Sequence, residues 1–432
     1  MARTIFVFLI IVFGGIASLT SAFYALQFYL WLAYFRPEAW LWDTAILQVV
    51  PLSLVAGIWT LVATAIYGAK PRFDVRAILL IAILAISTLS TFSGQYTTYA
   101  FTYWLDFAKI IVMTYILSIL VNDEKRARVT FIVIALSLGF EAGKQGLAQL
   151  VLNPGAKNDN YIAMLGDENL TAVGMFMLAP IVVMLARTSR VKWHAWMWRL
   201  LALGVIYRGI STYSRGGSLA CGAVALVSIW RSPHRVRSLA AVALVAMLIV
   251  PVLPATYWNR MDTIDAKQEE RDASAEGRVH FWQVAVLIAN ANPILGIGHN
   301  AYNAAYDQYD FSRGQYGGNR SVHSAWFGVL AELGYSGLMV FVMAIVLAFF
   351  ACRRTRKVAA TLPDGWNLLQ YSLALECSLV AFMVGGSFVI FQYNEIIWHV
   401  IGMTMALDSI VKARFAQVSS PHVELTHAAA VA

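Results

Sequence analysis

Residues 337–350, "GLMVFVMAIVLAFF", run without a charged or amide side chain, and "ILLIAILAIS" at 78–87 and "TFIVIALSLG" at 130–139 repeat the pattern. Runs of this kind reach or approach the roughly 20 apolar residues that a bilayer-spanning helix needs. Over the whole chain of 432 residues, 59% are hydrophobic and 13% charged, about half the charge of a soluble protein. The fold expected is therefore an all-α polytopic membrane protein. The opening "MARTIFVFLIIVFGGIASLTSAF" has the look of a signal peptide, but apolar sequence follows at once, so it reads as a retained membrane segment. Cys221, Cys352 and Cys377 lie in or beside apolar segments without metal-ligand spacing and read as packing residues.

The net charge of +8 is distributed in compact groups. These are Lys70, Arg72 and Arg76; Lys125, Arg126 and Arg128; Arg187, Arg190 and Lys192; Arg231, Arg235 and Arg237; Arg353, Arg354, Arg356 and Lys357; and Lys412 with Arg414. Most are separated by enough sequence for two spans and a turn, so the positive-inside rule marks alternate loops as cytoplasmic. This charge is topological and argues against a nucleic-acid partner. The reading gives about 12 transmembrane helices with both termini cytoplasmic, counting the opening segment 4–35 as one broken span; that segment is also long enough for two short passes. Four parts follow: helices over 1–255, a long, partly helical outer loop over 256–322, helices over 323–415, and a cytoplasmic tail, 416–432, expected to be disordered.

The outer loops include 153–167, the turn around 211–217 and the long stretch 256–322. A loop longer than about fifteen residues usually has its own structure or a function. "EGRVHFWQVAVLIANANPILGIG", 276–298, predicts an amphipathic helix over 275–291, stopped by Pro293 and two glycines and lying on or dipping into the membrane surface. "HNAYNAAYDQYDF", 299–311, interleaves tyrosines with amides and acids, which suits stacking on sugar rings. The same composition also makes an ordinary interfacial aromatic belt.

Charge near the outer level is sparse and placed. "STYSRGG", 211–217, puts Arg215 at the start of an outgoing helix, and a charge at membrane depth costs at least roughly 2.5–3.5 kcal/mol unless partnered or used. Arg208 lies seven residues before it and reads as part of an outer cluster or as a snorkelling side chain. Arg215, Arg278 and Lys144 together suit an anionic ligand, because arginine's planar fork grips phosphate oxygens. His323, where the long loop re-enters the membrane, is a cap or, near neutral pH, a base; His299 and His280 are secondary candidates. Asp106 with Lys109, and Glu141 with Lys144, have the i,i+3 spacing of self-neutralising pairs. Glu376 and Glu395 are notable as acids within helices, where a satisfied buried contact accounts for them. No His, Asp and Glu set has convincing metal spacing.

"TYSRGG", then "GRVHFWQVAVLIANANPILGIGHNAY", then "HSAWFGVLAELGYSGL" resemble the core signature of the O-antigen ligase/polymerase superfamily over about 205–345. "FRPEAW" and "GFEAGKQG" are similar to a subgroup containing ligases and O-linked glycosylation enzymes. The resemblance implies a membrane glycosyltransferase of the bacterial inner membrane with its active site facing the periplasm. It implies transfer of a glycan from undecaprenyl pyrophosphate to a sugar hydroxyl of lipid A-core, inverting and metal-independent, with no cofactor. By motif, Arg215 and Arg278 would hold the pyrophosphate and His323 would be the base. Lys144 would assist, although "KQG" stands where the subgroup has "KGG". Tyr213, Arg208, His299, Asn300 and Tyr302 complete the expected donor- or glycan-binding set. A polymerase, an O-linked protein oligosaccharyltransferase and, in another class, a lipid-linked glycan transporter remain open at this point.

Overall fold

The computed structural model describes residues 2–39, 51–232, 234–262 and 273–419. Parts of the loops over 36–45 and 256–322 lie outside these residues, as does the stretch 420–432 of the tail expected to be disordered. Among the described residues there is no strand, only an isolated bridge between Ile162 and Gly166. Apolar composition and side-chain caps set the helices. Ser21, Asp74, Asp123, Asp167, Ser214 and Asn394 each accept a backbone N–H two or three residues on, satisfying donors that the first helical turn leaves open.

In chain order the helices are α1 (Ala2–Ser18), α2 (Ala22–Phe35), α3 (Leu52–Ile66), α4 (Val75–Ser93), α5 (Thr97–Leu120) and α6 (Glu124–Leu152). They continue as α7 (Glu168–Arg187), α8 (Lys192–Ile210), α9 (Arg215–Arg231), α10 (Arg235–Ile249) and α11 (Ala255–Asp262). The rest are α12 (Ala273–Ala291), α13 (Tyr302–Tyr309), α14 (Ala325–Ala359), α15 (Trp366–Gly385) and α16 (Glu395–Val418). Eight of the described helices are long and apolar enough to cross a membrane: α4, α5, α6, α7, α14, α15, α16 and α10 with its extension to Val252. The opening segment is two helices, broken after Ser18. α16 runs to Val418, so the chain is still helical where a tail was expected to begin.

α7, α15 and α16 form the centre, whereas α10 is only 11% buried along its apolar length. α1 and α10 turn Phe6, Phe8, Phe13, Leu239, Leu244 and Met247 outward, as expected where lipid rather than water is the solvent. The basic groups gather at one end of the bundle. Arg76, Arg354 and Lys412 converge on buried Asp408, with Arg76 at 2.7 Å and Lys412 at 3.1 Å. Arg231 at 3.0 Å and Arg356 meet Glu376. Arg414 and Asn367 both reach Glu124 at 2.7 Å, and Arg128 bonds Thr188 at 2.9 Å. The loops that sequence assigns to one side of the membrane are therefore joined to one another.

α14 contains a break at Gly334, where φ is 70°. The segment 293–298 fills the break: Tyr335 N–H donates to Pro293 O at 2.9 Å, Ile297 N–H to Ala331 O at 3.1 Å and Gly298 N–H to Glu332 O at 3.2 Å. A Cβ on Gly296 would come within 2.4 Å of the Glu332 backbone, and one on Gly334 within 2.7 Å of Ile294. The glycines of "NPILGIG" and "AELG" thus allow two backbones to touch. They anchor the long loop to the head of α14.

Candidate functional site

The turn 211–214 is held from below. Ser211 O accepts the Asn158 N–H at 2.8 Å, Thr212 Oγ1 accepts the Ser214 N–H at 3.2 Å, and the Tyr213 hydroxyl donates to Gly155 O. Tyr213 sits at φ 61°, with its ring edge-on to Tyr257 at 5.2 Å. Ser214 then caps α9 through Gly217 N–H at 3.2 Å, which makes half-buried Arg215 the first helical residue. A Cβ on Gly217 would meet the Ala172 methyl at 2.4 Å, and one on Gly216 would meet Phe388 at 2.9 Å. The start of α9 is therefore pressed between the first turns of α7 and the segment 386–388.

The start of α14 reaches the same segment from another direction. Ala325 N–H donates to Gly386 O at 2.7 Å, and Trp326 Nε1 donates to Ser387 Oγ at 3.0 Å. Trp282 of α12 donates to Val322 O at 3.1 Å, and Phe281 lies 6.2 Å from the His323 ring. Residues 386–388 are thus a common seam between the helix that begins at Arg215 and the helix that follows His323. His323 itself adopts φ 48°. Its imidazole is held below the ordinary histidine value, first by burial and then by the positive charge of Arg278; Asp167 opposes the shift and Arg320 adds to it. Two arginines and one acid therefore act on a largely neutral imidazole at the end of the bundle opposite the buried ion pairs.

The structure places the remaining candidates as follows. Arg208 is fully buried: its guanidinium donates to Gln145 Oε1 at 3.3 Å, Asn158 O at 3.2 Å and Asn160 O at 2.6 Å. It ties the loop 153–167 to the turn. Lys144 pairs with Glu141 at 2.6 Å and lines a cleft with Gln149, Asn153, Lys157 and Asp159, not with Arg278 or His323. His299 is enclosed, with Nδ1 3.1 Å from Ser87 Oγ and its ring 3.9 Å from Tyr393; burial pushes its value down to about 3. Asn300 lies beside it at φ 54°. Buried Tyr302 donates to Phe281 O at 2.8 Å, fixing α13 on α12.

His280 lies 2.7 Å from Asp310, inside the loop. Burial alone would raise the Asp310 carboxyl, but hydrogen bonds from Ser312, Gly314 and His280 outweigh it and hold the carboxyl well below the usual range. Glu376 is satisfied by Arg231 and Arg356, and Glu395 by Arg36 at 3.4 Å. Lys109 and Asp106 pair at 2.9 Å. Among the described residues no group of three or more His, Cys, Asp or Glu could hold a metal ion. Sequence reasoning missed Asp167 and Arg320. The first had one signal, an acid capping "ENLTAVG"; the second, in "GGNRSVH", had only its proximity to His323.

Residues 200–342 match a family described as O-Antigen ligase. Residues 1–186 match a family of unknown function (DUF5935). No curated protein matches the chain. Arg215, Arg278, Arg320 and His323 fall in the first region and Asp167 in the second, while the seam 386–388 lies beyond both.

Proposed function

We propose that the chain is an O-antigen ligase that moves a glycan from undecaprenyl pyrophosphate to a sugar hydroxyl of lipid A-core in the inner membrane. In this reading the chain makes about twelve passes, the ion-paired basic end faces the cytoplasm, and the end holding His323 faces the periplasm. The observation that carries the reading is the shared seam: residues 386–388 touch both Gly216, next to Arg215, and Ala325, close after His323, while Arg278 acts electrostatically on His323.

The chemistry follows from that juxtaposition. Neutral His323 accepts the proton of the acceptor hydroxyl as its oxygen attacks the anomeric carbon. The bond from that carbon to the pyrophosphate oxygen breaks, with inversion, and undecaprenyl pyrophosphate leaves. Arg215 and Arg278 bind the pyrophosphate and stabilise the charge that accumulates on it; the start of α9 adds a dipole of favourable sign. Arg278 also keeps His323 unprotonated, so the anion-binding charge and the base support each other. Arg208 and Tyr302 act at one remove, by holding the turn and the loop. No metal or cofactor enters the reaction.

A transporter would place its charged site near the bilayer midplane between repeats. Here the relevant charges lie at helix starts at one end, which favours transfer over transport. Polymerase and O-linked protein oligosaccharyltransferase differ from the ligase only in acceptor. Reconstitution with purified lipid-linked glycan and competing lipid A-core, second donor and peptide separates the three. Selective glycosylation of lipid A-core supports the ligase; transfer to the second donor or the peptide reassigns it.

A further inference from the structure

The end opposite the proposed site carries a cleft of about 690 Å³ between the end of α7, the start of α8, the α9–α10 turn and the start of α15. Arg187, Arg190, Lys192, Arg199 and Arg237 line it, and none of its lining residues is an Asp or Glu. All five of these residues are exposed. Trp196 and Trp366 flank the cleft, and the Arg199 guanidinium lies 5.3 Å over the Trp196 ring. Exposed tryptophans beside cations are the usual furniture of the headgroup level.

The cleft continues into an apolar groove of about 220 Å³, with which it shares Arg187, Ser238 and Gln370. Pro180, Val224, Val242 and Leu373 line the groove, and sparsely packed α10 forms its outer wall. Along α7 the groove extends from Arg187 to Phe176, about 16 Å of helix at 1.5 Å per residue. That depth is about half the ~30 Å hydrocarbon core, or one leaflet. At its inner end, Phe176 closes the floor against Gly209.

We propose that the cleft and groove form one binding site for an anionic phospholipid of the leaflet at this end. Its phosphodiester sits among Arg187, Arg190 and Arg237, and an acyl chain lies in the groove beneath α10. Charge complementarity selects the headgroup, and continuity with an apolar groove one leaflet deep selects a lipid over a soluble anion. The bound lipid fills the space between α10 and the core, fastening a helix that the protein alone holds loosely. This site does not rest on the transfer reaction, because it uses none of the residues assigned to it.

The test uses the full-length protein in mild detergent, titrated with dioleoyl-phosphatidylglycerol and followed by native mass spectrometry and thermal unfolding. Retained lipid and a saturable rise in Tm are expected with this lipid, and neither with dioleoyl-phosphatidylcholine or inorganic phosphate. Affinity should fall about fivefold for each of Arg190→Gln and Arg237→Gln, as expected for one cation near a lipid headgroup. Arg353→Gln, an exposed charge at the same end outside the cleft, should leave it unchanged. Val242→Trp should weaken binding by filling the groove with the cations intact. Equal binding of phosphatidylcholine, an equal effect of free phosphate, or an equal loss in Arg353→Gln would each overturn the proposal. So would displacement of the lipid by undecaprenyl pyrophosphate, which would give the groove to the donor's tail.

Discussion

The two ends of the bundle use the same side chains for opposite purposes. At one end Asp408, 1% exposed, is wrapped by Arg76, Arg354 and Lys412, and Glu376 by Arg231 and Arg356. Each of those acids is paired with two or three cations inside the fold, and the pairs tie α4, α9, α14, α15 and α16 together. At the other end two arginines and a single acid act on His323, whose imidazole is held below the ordinary histidine value first by burial. Charge gathered around buried acids makes structure; charge gathered beside His323 is what we propose serves an anionic substrate. The number of arginines at an end says little until their partners are known.

The largest effect expected is on His323. His323→Ala should lower glycan transfer by roughly 10²–10⁴-fold, the usual contribution of a positioned base, while unfolding in detergent stays near that of the parent. Full transfer by this variant, measured on purified lipid-linked donor, removes the base from the mechanism.

Asp408→Asn should do the reverse at the ion-paired end. Leaving three cations around a lost acid costs about 3–5 kcal/mol, read as a fall in Tm, with per-molecule transfer retained in the protein that stays folded. An unchanged Tm would erase the contrast between the ends.

Arg215→Ala should lower transfer about 100-fold or more, in the range seen when one charge-stabilising donor is lost, without a comparable loss of stability. Normal donor binding and turnover in this variant would dismiss the pyrophosphate contact. Arg208→Ala should show the opposite pattern and lose roughly 1–3 kcal/mol of stability, because it strands the buried carbonyls of Asn158 and Asn160.

The smallest effect is a displacement of the pH profile. Burial, then Arg278, lowers the His323 value, so the base stays neutral to a more acidic pH than an ordinary imidazole, and activity should fall only on an acid limb below about 6.5. Whatever residual transfer Arg278→Gln retains should show that limb moved upward, because a charge disfavouring protonation is gone. Asp167→Asn should move it downward, because a charge favouring protonation is gone. Movement of both limbs in the same direction would break the electrostatic link between these residues and His323.

Much of this was readable along the chain. Apolar run length announced the helices, and the basic groups announced a shared end, now seen as ion pairs on Asp408, Glu124 and Glu376. The helix expected over 275–291 is Ala273–Ala291, and the i,i+3 pairs at Asp106 and Glu141 formed as spacing suggested. All of these depend on neighbours within a few turns or on the identity of the solvent. Arg208 and Arg215, on the two sides of one turn, could not be told apart in this way. One is consumed by carbonyls of the loop 153–167, and the other begins a helix against Phe388.

Composition and periodicity were enough for the class of fold, the approximate ends of most helices and the small set of polar residues worth asking about. Which of those residues come together was left to interactions between distant positions: the charge of Asp167 acting on His323, Gly216 against Phe388, and Ala325 bonded to Gly386 after the chain has turned back. The hydrophobic pattern says that a helix is buried in lipid but leaves its rotation and its neighbours undetermined. Those come from side-chain packing and hydrogen bonds at the crossings.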